Sequence, residues 1–305
     1  MHKKIILILL LIFLTACIPI KQTKTTSIIK ETNNYSIEVY FCPQDNCSKQ
    51  LINLINSANS SVYCAFYDID LPEVIDVLKN KDAKLIIEDN KSSALMHNKF
   101  CIIDDKTIAT GSFNPTFYGD IYNNNNLVII YSRYLAQNYK EEFDELLQEN
   151  FGKGNKVKYP VIELNNIKIQ NYFCPEDNCA GHIIDELRKA KHSINFMTFT
   201  FTHDNIANML AIKLHKNITV RGIIEKSRQS KYSKYDFLEF QGAEMHYDKN
   251  PKTMHHKVFI IDNQTVITGS MNPSYAGDTK NDENILIIHD KAIAEKFLKE
   301  FERLT

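Results

Sequence analysis

Apolar residues recur along this chain in short runs that alternate with segments of helical spacing. Runs such as Val62–Tyr67 and Thr219–Glu225 are typical of buried strands, whereas Leu51, Leu54 and Ile55 mark one face of a helix. The same order of elements occurs twice. The pattern predicts strands at Ile37–Phe41, Val62–Tyr67, Lys84–Glu88 and Thr107–Thr110, then at Ile167–Phe173, Ile194–Phe201, Thr219–Glu225 and Thr265–Thr268, with helices at Leu71–Lys79, Leu135–Glu149, Asp204–Leu214 and Lys291–Leu304. Strands that alternate with helices predict an α/β fold, here with two halves over residues 36–151 and 156–305, each a mixed sheet flanked by helices.

The two halves differ in length. From Cys42 to His97 there are 55 positions, whereas from Cys174 to His255 there are 81. The extra residues lie between Glu225 and Met254, so we expect a helix and a strand that the first half lacks. This insert carries basic and aromatic residues, namely Lys226, Arg228, Lys231, Tyr232, Lys234 and Tyr235. It contacts phosphate groups or is a solvated helix face, and the sequence leaves both alternatives open.

One block of sequence is repeated without a gap. Residues 96–114 read MHNKFCIIDDKTIATGSFN and residues 254–272 read MHHKVFIIDNQTVITGSMN, so both fit H-x-K-x4-D-x6-G-S-x-N. The aligned residues are His97, Lys99, Asp104, Ser112 and Asn114 in the first block and His255, Lys257, Asp262, Ser270 and Asn272 in the second. Two such blocks in step indicate two halves of one active site.

This pattern resembles the phospholipase D superfamily, in which two such blocks face each other across one cleft. The resemblance implies a pseudo-twofold, bilobed unit made of two phospholipase D-like half-domains. It also implies hydrolysis of a phosphodiester without a metal or another cofactor, because lysines replace the divalent cation.

The resemblance assigns roles to the repeated residues. Lys99 and Lys257 supply cationic charge, and the first-motif His97 attacks phosphorus while His255 protonates the leaving oxygen. From the residues alone the order of the two histidines stays open. Asn and Ser side chains donate hydrogen bonds to the non-bridging oxygens of the phosphate, which concerns Ser112, Asn114, Ser270 and Asn272. We expect Asp104 and Asp262 to accept hydrogen bonds from nearby groups as structural supports.

A second correspondence lies downstream of each motif. Asn125 and Glu283 both stand 28 positions after their motif histidine, and each precedes an aligned apolar run. In the family this position often supports a catalytic imidazole. Glu283 would raise the basicity of the ring it holds, whereas Asn125 would orient a ring without adding charge. Whether each support serves its own half or the opposite one stays open.

The other histidines show no paired pattern. His256 alternates with His255 and Lys257 along a strand, so it faces the other way and is interpreted as non-catalytic. Most of the rest are expected on the surface, with His203 and His246 as candidates for the rim of the cleft. They are His182, His192, His203, His215, His246 and His289.

The N-terminal residues predict export. Residues 1–17 combine two lysines, an apolar run and small residues, as in a secretory signal peptide. Leu14-Thr15-Ala16-Cys17 resembles a lipobox, which would leave Cys17 as a lipidated anchor on the outer face of a membrane. An ordinary signal peptide is the alternative. Residues 18–35 are interpreted as a polar tether.

Cysteines repeat in the pattern Y-F-C-P-x-D-N-C. An exported protein permits disulfides, so we predict Cys42–Cys47 and Cys174–Cys179. A four-cysteine zinc site is the alternative. Cys64 and Cys101 lie in apolar strands and are expected to be buried thiols.

Composition bears on the substrate. Removing Lys3 and Lys4 leaves 34 basic against 37 acidic side chains, so there is no broad basic excess for a long nucleic acid. We therefore favour a membrane-anchored phosphodiesterase acting on phospholipid. The alternatives are an exported EDTA-resistant endonuclease, a transferase similar to cardiolipin synthase, and a non-catalytic lipoprotein that binds phosphorylated ligands. A monomer is expected, because one chain supplies both motifs.

Overall fold

The structure is a computed structural model that describes residues 28–35, 37–89 and 94–305. Strand β1 (Ile29–Glu31) precedes the first half, which contains β2 (Glu38–Cys42), α1 (Cys47–Asn56), β3 (Val62–Phe66), α2 (Pro72–Asn80), β4 (Lys84–Ile87), β5 (Lys99–Ile103), β6 (Thr107–Gly111), α3 (Phe117–Ile121), β7 (Asn125–Tyr131) and α4 (Arg133–Leu147). The second half contains β8 (Val161–Leu164), β9 (Ile167–Cys174), α5 (Cys179–Lys189), β10 (Ser193–Thr198), α6 (Asp204–Leu214), β11 (Thr219–Ile224), a 3-10 turn (Lys226–Arg228), α7 (Tyr235–Phe240), β12 (Glu244–Tyr247), β13 (Lys257–Ile261), β14 (Thr265–Gly269), α8 (Tyr275–Thr279), β15 (Glu283–His289) and α9 (Lys291–Leu304).

The two sheets repeat one topology. The first has the strand order β2-β7-β6-β5-β3-β4, and the core of the second has the matching order β9-β15-β14-β13-β10-β11. In each sheet the two motif strands, β5 and β6 or β13 and β14, pair antiparallel. The strand after the second helix, β4 or β11, pairs parallel with the strand before that helix, β3 or β10. The mixed α/β fold and the duplication predicted from the sequence are confirmed.

The closing helices α4 and α9 lie between the two sheets. Each starts at a side-chain cap, since Ser132 Oγ accepts from the N–H of Leu135 and Asp290 Oδ1 accepts from the N–H of Ile293. Their apolar faces, which include Tyr139 and Phe297, join residues from the facing sides of both sheets in one core. Separate cores fill the space under the outer helices of each half. Burial of the apolar faces of α4 and α9 between the sheets therefore holds the two halves together.

The length difference between the halves has the predicted structure. The insert forms α7 and β12, and β12 extends the second sheet by pairing parallel with β11. Tyr235 of the insert is buried and stacks on Tyr247 at a centroid distance of 4.0 Å. This tyrosine belongs to the core and is not a ligand-binding residue.

The N-terminal segment departs from expectation. Strand β1 pairs parallel with β8 at the edge of the second sheet, so the tether predicted over residues 18–35 is wrong at Ile29–Glu31. The carboxylate of Glu31 accepts from Ser132 Oγ and from the N–H of Arg133, and these contacts join the segment to the first half as well. The predicted signal peptide, Cys17 and the start of the tether lie outside the described residues.

Three disulfides are present in the described part of the chain. Cys42–Cys47 and Cys174–Cys179 are confirmed, and they use the four thiols that a zinc site would need. The prediction of two buried thiols in the strands is wrong, because Cys64 and Cys101 form a third disulfide. They are directly opposite on antiparallel β3 and β5, with Cα atoms 4.1 Å apart. The pairing of these two strands, which a local sequence pattern does not specify, creates this contact.

Within the described residues, no helix combines the length and the hydropathy needed to cross a membrane.

Candidate active site

The two motif histidines lie where the halves meet. The N–H of His97 donates to the carbonyl of Asp282 over 3.0 Å, and the N–H of His255 donates to the carbonyl of Asn124 over 2.8 Å. Because each segment is bonded to the other half, both imidazoles are drawn to one place about a pseudo-twofold axis. The charge of His97 also lowers the pKa of His255, as expected for neighbouring rings.

Glu283 holds the first imidazole. Its Oε2 lies 2.7 Å from Nδ1 of His97 and accepts from Ser270 Oγ over 2.7 Å. Burial raises the pKa of Glu283 to about 8, against the opposing influence of Lys99, Ser270 and Lys257. When Glu283 is ionised, the carboxylate favours a proton on Nδ1 of His97. The other nitrogen, Nε2, then carries a free lone pair suited to attack.

Asn125 holds the second imidazole with a neutral amide. Its Nδ2 donates to the carbonyl of Gly119 over 3.1 Å, so its Oδ1 faces Nδ1 of His255 at 2.9 Å. Ser112 Oγ donates to the same amide oxygen over 3.1 Å. The carbonyl of Ser112 is a second acceptor for Nδ1 of His255, at 3.1 Å. Two acceptors at Nδ1 require a proton there, which fixes the tautomer of this ring.

Each support therefore serves the opposite half, which answers a question that the sequence left open. Glu283 of the second half holds His97 of the first, and Asn125 of the first half holds His255 of the second. The two hydrogen bonds have the same arrangement but differ in charge. An otherwise symmetrical site thereby acquires two inequivalent imidazoles.

The glycine of each G-S pair allows this approach. Gly111 and Gly269 have φ values of +142° and +147°, which L side chains rarely adopt. A Cβ atom at Gly111 would lie 2.4 Å from the carbonyl oxygen of Asn126, and one at Gly269 would lie 2.2 Å from that of Asn284. Only glycine lets the end of the motif hairpin come this close to the strand that carries the support.

The motif lysines are buried beside the histidines. Lys99 Nζ donates to the carbonyl of His97 over 2.6 Å, and Lys257 Nζ donates to the carbonyl of His255 over 2.8 Å. Burial lowers the pKa of Lys99 to about 7, although Glu283 and Asp68 act in the opposite direction. Burial lowers the pKa of Lys257 as well, followed by the charge of Lys99. A bound anion acts in the opposite direction to burial and favours the charged form of both side chains, so the site is suited to a phosphate.

An aromatic ring packs against each imidazole. Tyr67 lies 4.9 Å from His97 and Phe199 lies 4.8 Å from His255, between ring centroids. This pair was not among the site residues predicted from the sequence. The signal was present, because the offset that aligns the two Y-F-C-P-x-D-N-C segments also aligns Tyr67 with Phe199.

The two rims of the site differ in charge. Arg228 of the insert lies over the ring of Phe199 at 4.3 Å, and its charge helps to lower the pKa of Lys257. On the other rim, the exposed Asp68 acts to raise the pKa of Lys99. One rim of the site is therefore basic and the other is acidic.

The repeated Ser and Asn residues occupy different positions. Ser112 and Ser270 are fully buried behind the supports, so the structure gives them a supporting role and not the predicted contact with phosphate. Asn114 and Asn272 are half-buried, and the buried amide oxygen of each has no hydrogen-bond partner among the described residues. These two amides stay candidates for binding phosphate.

Asp104 and Asp262 have the supporting role that their position in the motif predicted. The carboxylate of Asp104 accepts from the backbone N–H groups of Asn59, Ser60 and Ser61 at the start of β3. Asp262 accepts in the same way from Lys191, His192 and Ser193 before β10. Both aspartates stand at the end of the motif strand that lies away from the histidines.

A second layer of buried polar residues repeats behind the site. An amide on β7 or β15 bonds to the residue after the motif histidine of the other half, and that residue bonds to a glutamate on α4 or α9. The two series are Asn126–His256–Glu300 and Asn284–Asn98–Glu142, with contacts of 2.8 to 3.1 Å. His256 is fully buried here and faces away from its neighbour His255, as predicted.

The remaining histidines take varied places. His192 and His215 are exposed, whereas His182, His246 and His289 are half-buried. His203 is buried and caps α6, where its Nδ1 accepts from the N–H of Ile206.

Carboxylates cluster at one further place. Within the described residues, Glu142, Glu145 and Glu176 form the group whose ligand atoms lie close enough to hold a metal, all within 4.8 Å of one another. Burial raises the pKa of Glu176 to about 7.

Comparison with known proteins agrees with this site. A sequence model of the family described as "Cardiolipin synthase, PLD-like domain" matches residues 75–147 and 183–305. A phospholipase D from Rickettsia conorii is 33% identical over 142 residues, which are 46% of this chain and 71% of that protein. A mitochondrial cardiolipin hydrolase from Xenopus laevis is 32% identical over 135 residues, which are 43% of this chain and 64% of that protein.

The fold as a whole also has a solved counterpart. The crystal structure of a phosphatidylserine synthase from Haemophilus influenzae superimposes with a TM-score of 0.66, covering 89% of this chain and 87% of that one. At 12% identity this likeness concerns the fold alone. The family match covers most of both halves, and the chain belongs to the phospholipase D superfamily of phosphodiester hydrolases.

Proposed function

We propose that this protein hydrolyses phospholipids at the headgroup phosphodiester through a phosphohistidine intermediate. The observation that carries the proposal is the crossed pair of supports, in which a carboxylate holds His97 and an amide holds His255. Nucleophilic attack and proton donation need two imidazoles with different properties, and this arrangement supplies them.

In the first step, Nε2 of His97 attacks phosphorus and the bond from phosphorus to the headgroup oxygen breaks. The phosphorylated imidazole is cationic, and the Glu283 carboxylate at Nδ1 stabilises that charge. The protonated form of His255 gives its Nε2 proton to the leaving oxygen. Burial and the neighbouring lysines lower the pKa of His255, and an anionic phosphate bound beside the ring acts in the opposite direction, so substrate binding favours the protonated form that donates.

In the second step, His255 takes a proton from water, and the resulting hydroxide attacks phosphorus. The bond from phosphorus to His97 breaks, which releases a phosphatidic acid and restores the free imidazole. Lys99 and Lys257 offset the negative charge of the non-bridging oxygens throughout, and the amides of Asn114 and Asn272 donate hydrogen bonds to them.

Three features support a lipid substrate. Relatives of this chain carry the names phospholipase D and cardiolipin hydrolase. The chain after the predicted signal peptide carries more acidic than basic side chains, so it lacks the broad positive field of a nuclease. Lipidation of Cys17 in an exported protein would hold the site close to a membrane surface.

The test is release of headgroup and phosphatidic acid from phospholipid vesicles in excess EDTA. The wild type should be active, His97→Asn inactive, and His215→Asn unchanged, because His215 is an exposed histidine outside the site. Degradation of DNA with the lipid left intact would transfer the same mechanism to a nuclease. Activity in His97→Asn would remove this residue from the mechanism.

A further inference from the structure

Helix α3 exposes an unusual group of apolar side chains. Phe117, Tyr118, Ile121 and Tyr122 are 50%, 53%, 47% and 42% exposed, and we call these four residues the aromatic rim. Their rings contact one another, with centroid distances of 5.7 Å, 5.8 Å and 5.8 Å for the three pairs. Neighbouring apolar side chains that remain exposed together commonly mark an interaction surface.

A cation from the other half completes the rim. Lys252 Nζ lies 5.3 Å from the ring centroid of Tyr118 and 5.7 Å from that of Tyr122. The segment that carries it is fixed in place, because Asn250 Nδ2 donates to the carbonyl of Tyr122 over 2.9 Å. The rim thus presents apolar side chains next to a positive charge.

The rim is joined directly to the active site. Helix α3 begins three residues after Asn114, and the carbonyl of its Gly119 accepts from Asn125 Nδ2 over 3.1 Å. That same Asn125 holds His255. A surface that docks on the rim therefore contacts the helix that is bonded to the support of His255.

The duplicate helix shows that the fold does not require this surface. In α8, the positions equivalent to the rim are Tyr275, Ala276, Thr279 and Lys280. Both helices keep the same cap, since Thr116 and Ser274 accept from the N–H of Gly119 and Gly277. Three of the four apolar side chains are therefore dispensable for the helix, and an outside partner is their most direct explanation.

We infer that the aromatic rim, with Lys252, docks the enzyme on an anionic phospholipid bilayer. Tyrosine rings prefer the interface between headgroups and acyl chains, where Ile121 and Phe117 can leave water. Lys252 is attracted by anionic headgroups. Nucleic acid fits the rim less well, because base stacking needs open ring faces, whereas these rings contact one another. The inference rests on the proposed function.

The chain contains no tryptophan, so a single tryptophan can report docking. We would place Tyr118→Trp in the His97→Asn background, so that lipid is not consumed, and add vesicles of phosphatidylcholine with or without an anionic phospholipid. Its emission should shift to the blue and be quenched by brominated acyl chains, more strongly with anionic lipid. Tyr275→Trp in the same background is the control on the equivalent helix α8 of the second half and should shift little. Equal shifts at both positions, or none at position 118, would overturn the inference.

A charge-neutral variant measures the consequence for turnover. Tyr118→Ala with Ile121→Thr copies Ala276 and Thr279 of the second half, so the helix is expected to fold. Hydrolysis of vesicle lipid should fall on the order of tenfold or more, since two apolar side chains leave the interface. Hydrolysis of soluble bis(p-nitrophenyl) phosphate should not change. All variants share the same N-terminal residues, so an anchor contributes equally to each.

The outcomes separate the inference from the proposed function. A blue shift in the Tyr118→Trp variant, together with a wild type that leaves phospholipid intact, would retain the docking surface and reject the substrate. Vesicle hydrolysis that is unchanged in the double variant would reject the surface and retain the substrate. A shift of the Tyr118→Trp emission with single-stranded DNA but not with vesicles would identify the rim as a nucleic-acid surface and overturn the inference.

Discussion

The two halves of this molecule share one topology and one set of motif residues, yet they contribute unequal parts to the site. The first half contributes the carboxylate-held His97 and a neutral amide, and the second contributes the amide-held His255 and the carboxylate Glu283. The second half adds Arg228 through its insert, whereas the first adds an exposed apolar helix face. The proposed two-step reaction therefore depends on a few symmetry-related positions that differ between the halves.

The largest expected effects come from the histidines themselves. His97→Asn and His255→Asn should each lower kcat for phospholipid by several orders of magnitude, as for removal of a nucleophile or an acid. Their responses to a better leaving group should differ. A p-nitrophenyl ester needs no proton from His255, so His255→Asn should recover phosphorylation of the enzyme with it, whereas His97→Asn should not. Recovery in His97→Asn alone would reverse the roles.

Replacement of the carboxylate support should have a smaller effect. We expect Glu283→Gln to lower kcat/KM by roughly 10- to 100-fold, by analogy with removal of the hydrogen-bond partner of a metal-bound histidine. The wild-type kcat/KM should rise with pH as Glu283 ionises near its pKa of about 8. Burial lowers the pKa of His97, so the ionisation of His97 does not cause this rise of kcat/KM with pH. The acid limb should disappear in Glu283→Gln, and a limb that persists would assign it to another group.

Replacing the amide support with a carboxylate should reduce the difference in basicity between the imidazoles of His97 and His255. In Asn125→Asp a carboxylate would face Nδ1 of His255, which favours the charged imidazole and raises its pKa. The alkaline limb of kcat should therefore move to higher pH, with a change in maximal rate below about tenfold. An unchanged limb would mean that another group limits the rate in that range.

The smallest effect on catalysis should come from the motif aspartates. Burial acts to raise the pKa of Asp104, but the N–H groups of Asn59, Ser60 and Ser61 lower it below its ordinary value. The carboxylate thus adds stability above its ordinary pKa, and this contribution is lost as the pH falls.

Asp104→Ala should lower the free energy of unfolding by about 1–2 kcal/mol, as for loss of these partly exposed hydrogen bonds. The activity per folded molecule should be unchanged, and denaturant titration beside an active-site count would measure both. Asp262→Ala is the matched change in the second half. A large loss of kcat in either variant, with folding intact, would give these aspartates a role in chemistry.

Much of the fold and the site followed from the repeated sequence. From two copies of one pattern we could predict the order of strands and helices, the insert, and the paired histidines and lysines. Each copy provides a check on the prediction made from the other. The disulfide between Cys64 and Cys101 could not be predicted from the sequence. It depends on the register of β3 against β5, which a local pattern does not specify.

The supports illustrate the same limit. Sequence spacing identified Asn125 and Glu283, but their assignment to the opposite histidine needs the relative placement of the halves. Ser112 and Ser270 were misjudged for a related reason. Each serine follows a glycine with positive φ, and its hydroxyl donates to the support, a geometry that residue type alone does not reveal.

The central claim is that two inequivalent imidazoles act on one phosphorus atom, with His97 as the nucleophile. The direct measurement is to trap the phosphoenzyme by acid quenching with phospholipid labelled at phosphorus, and to locate the label by peptide mapping under conditions that preserve phosphohistidine. We predict label on His97 in the wild type, more of it in His255→Asn with an activated ester, and none in His97→Asn. Label on His255, or turnover without any labelled histidine, would contradict the account.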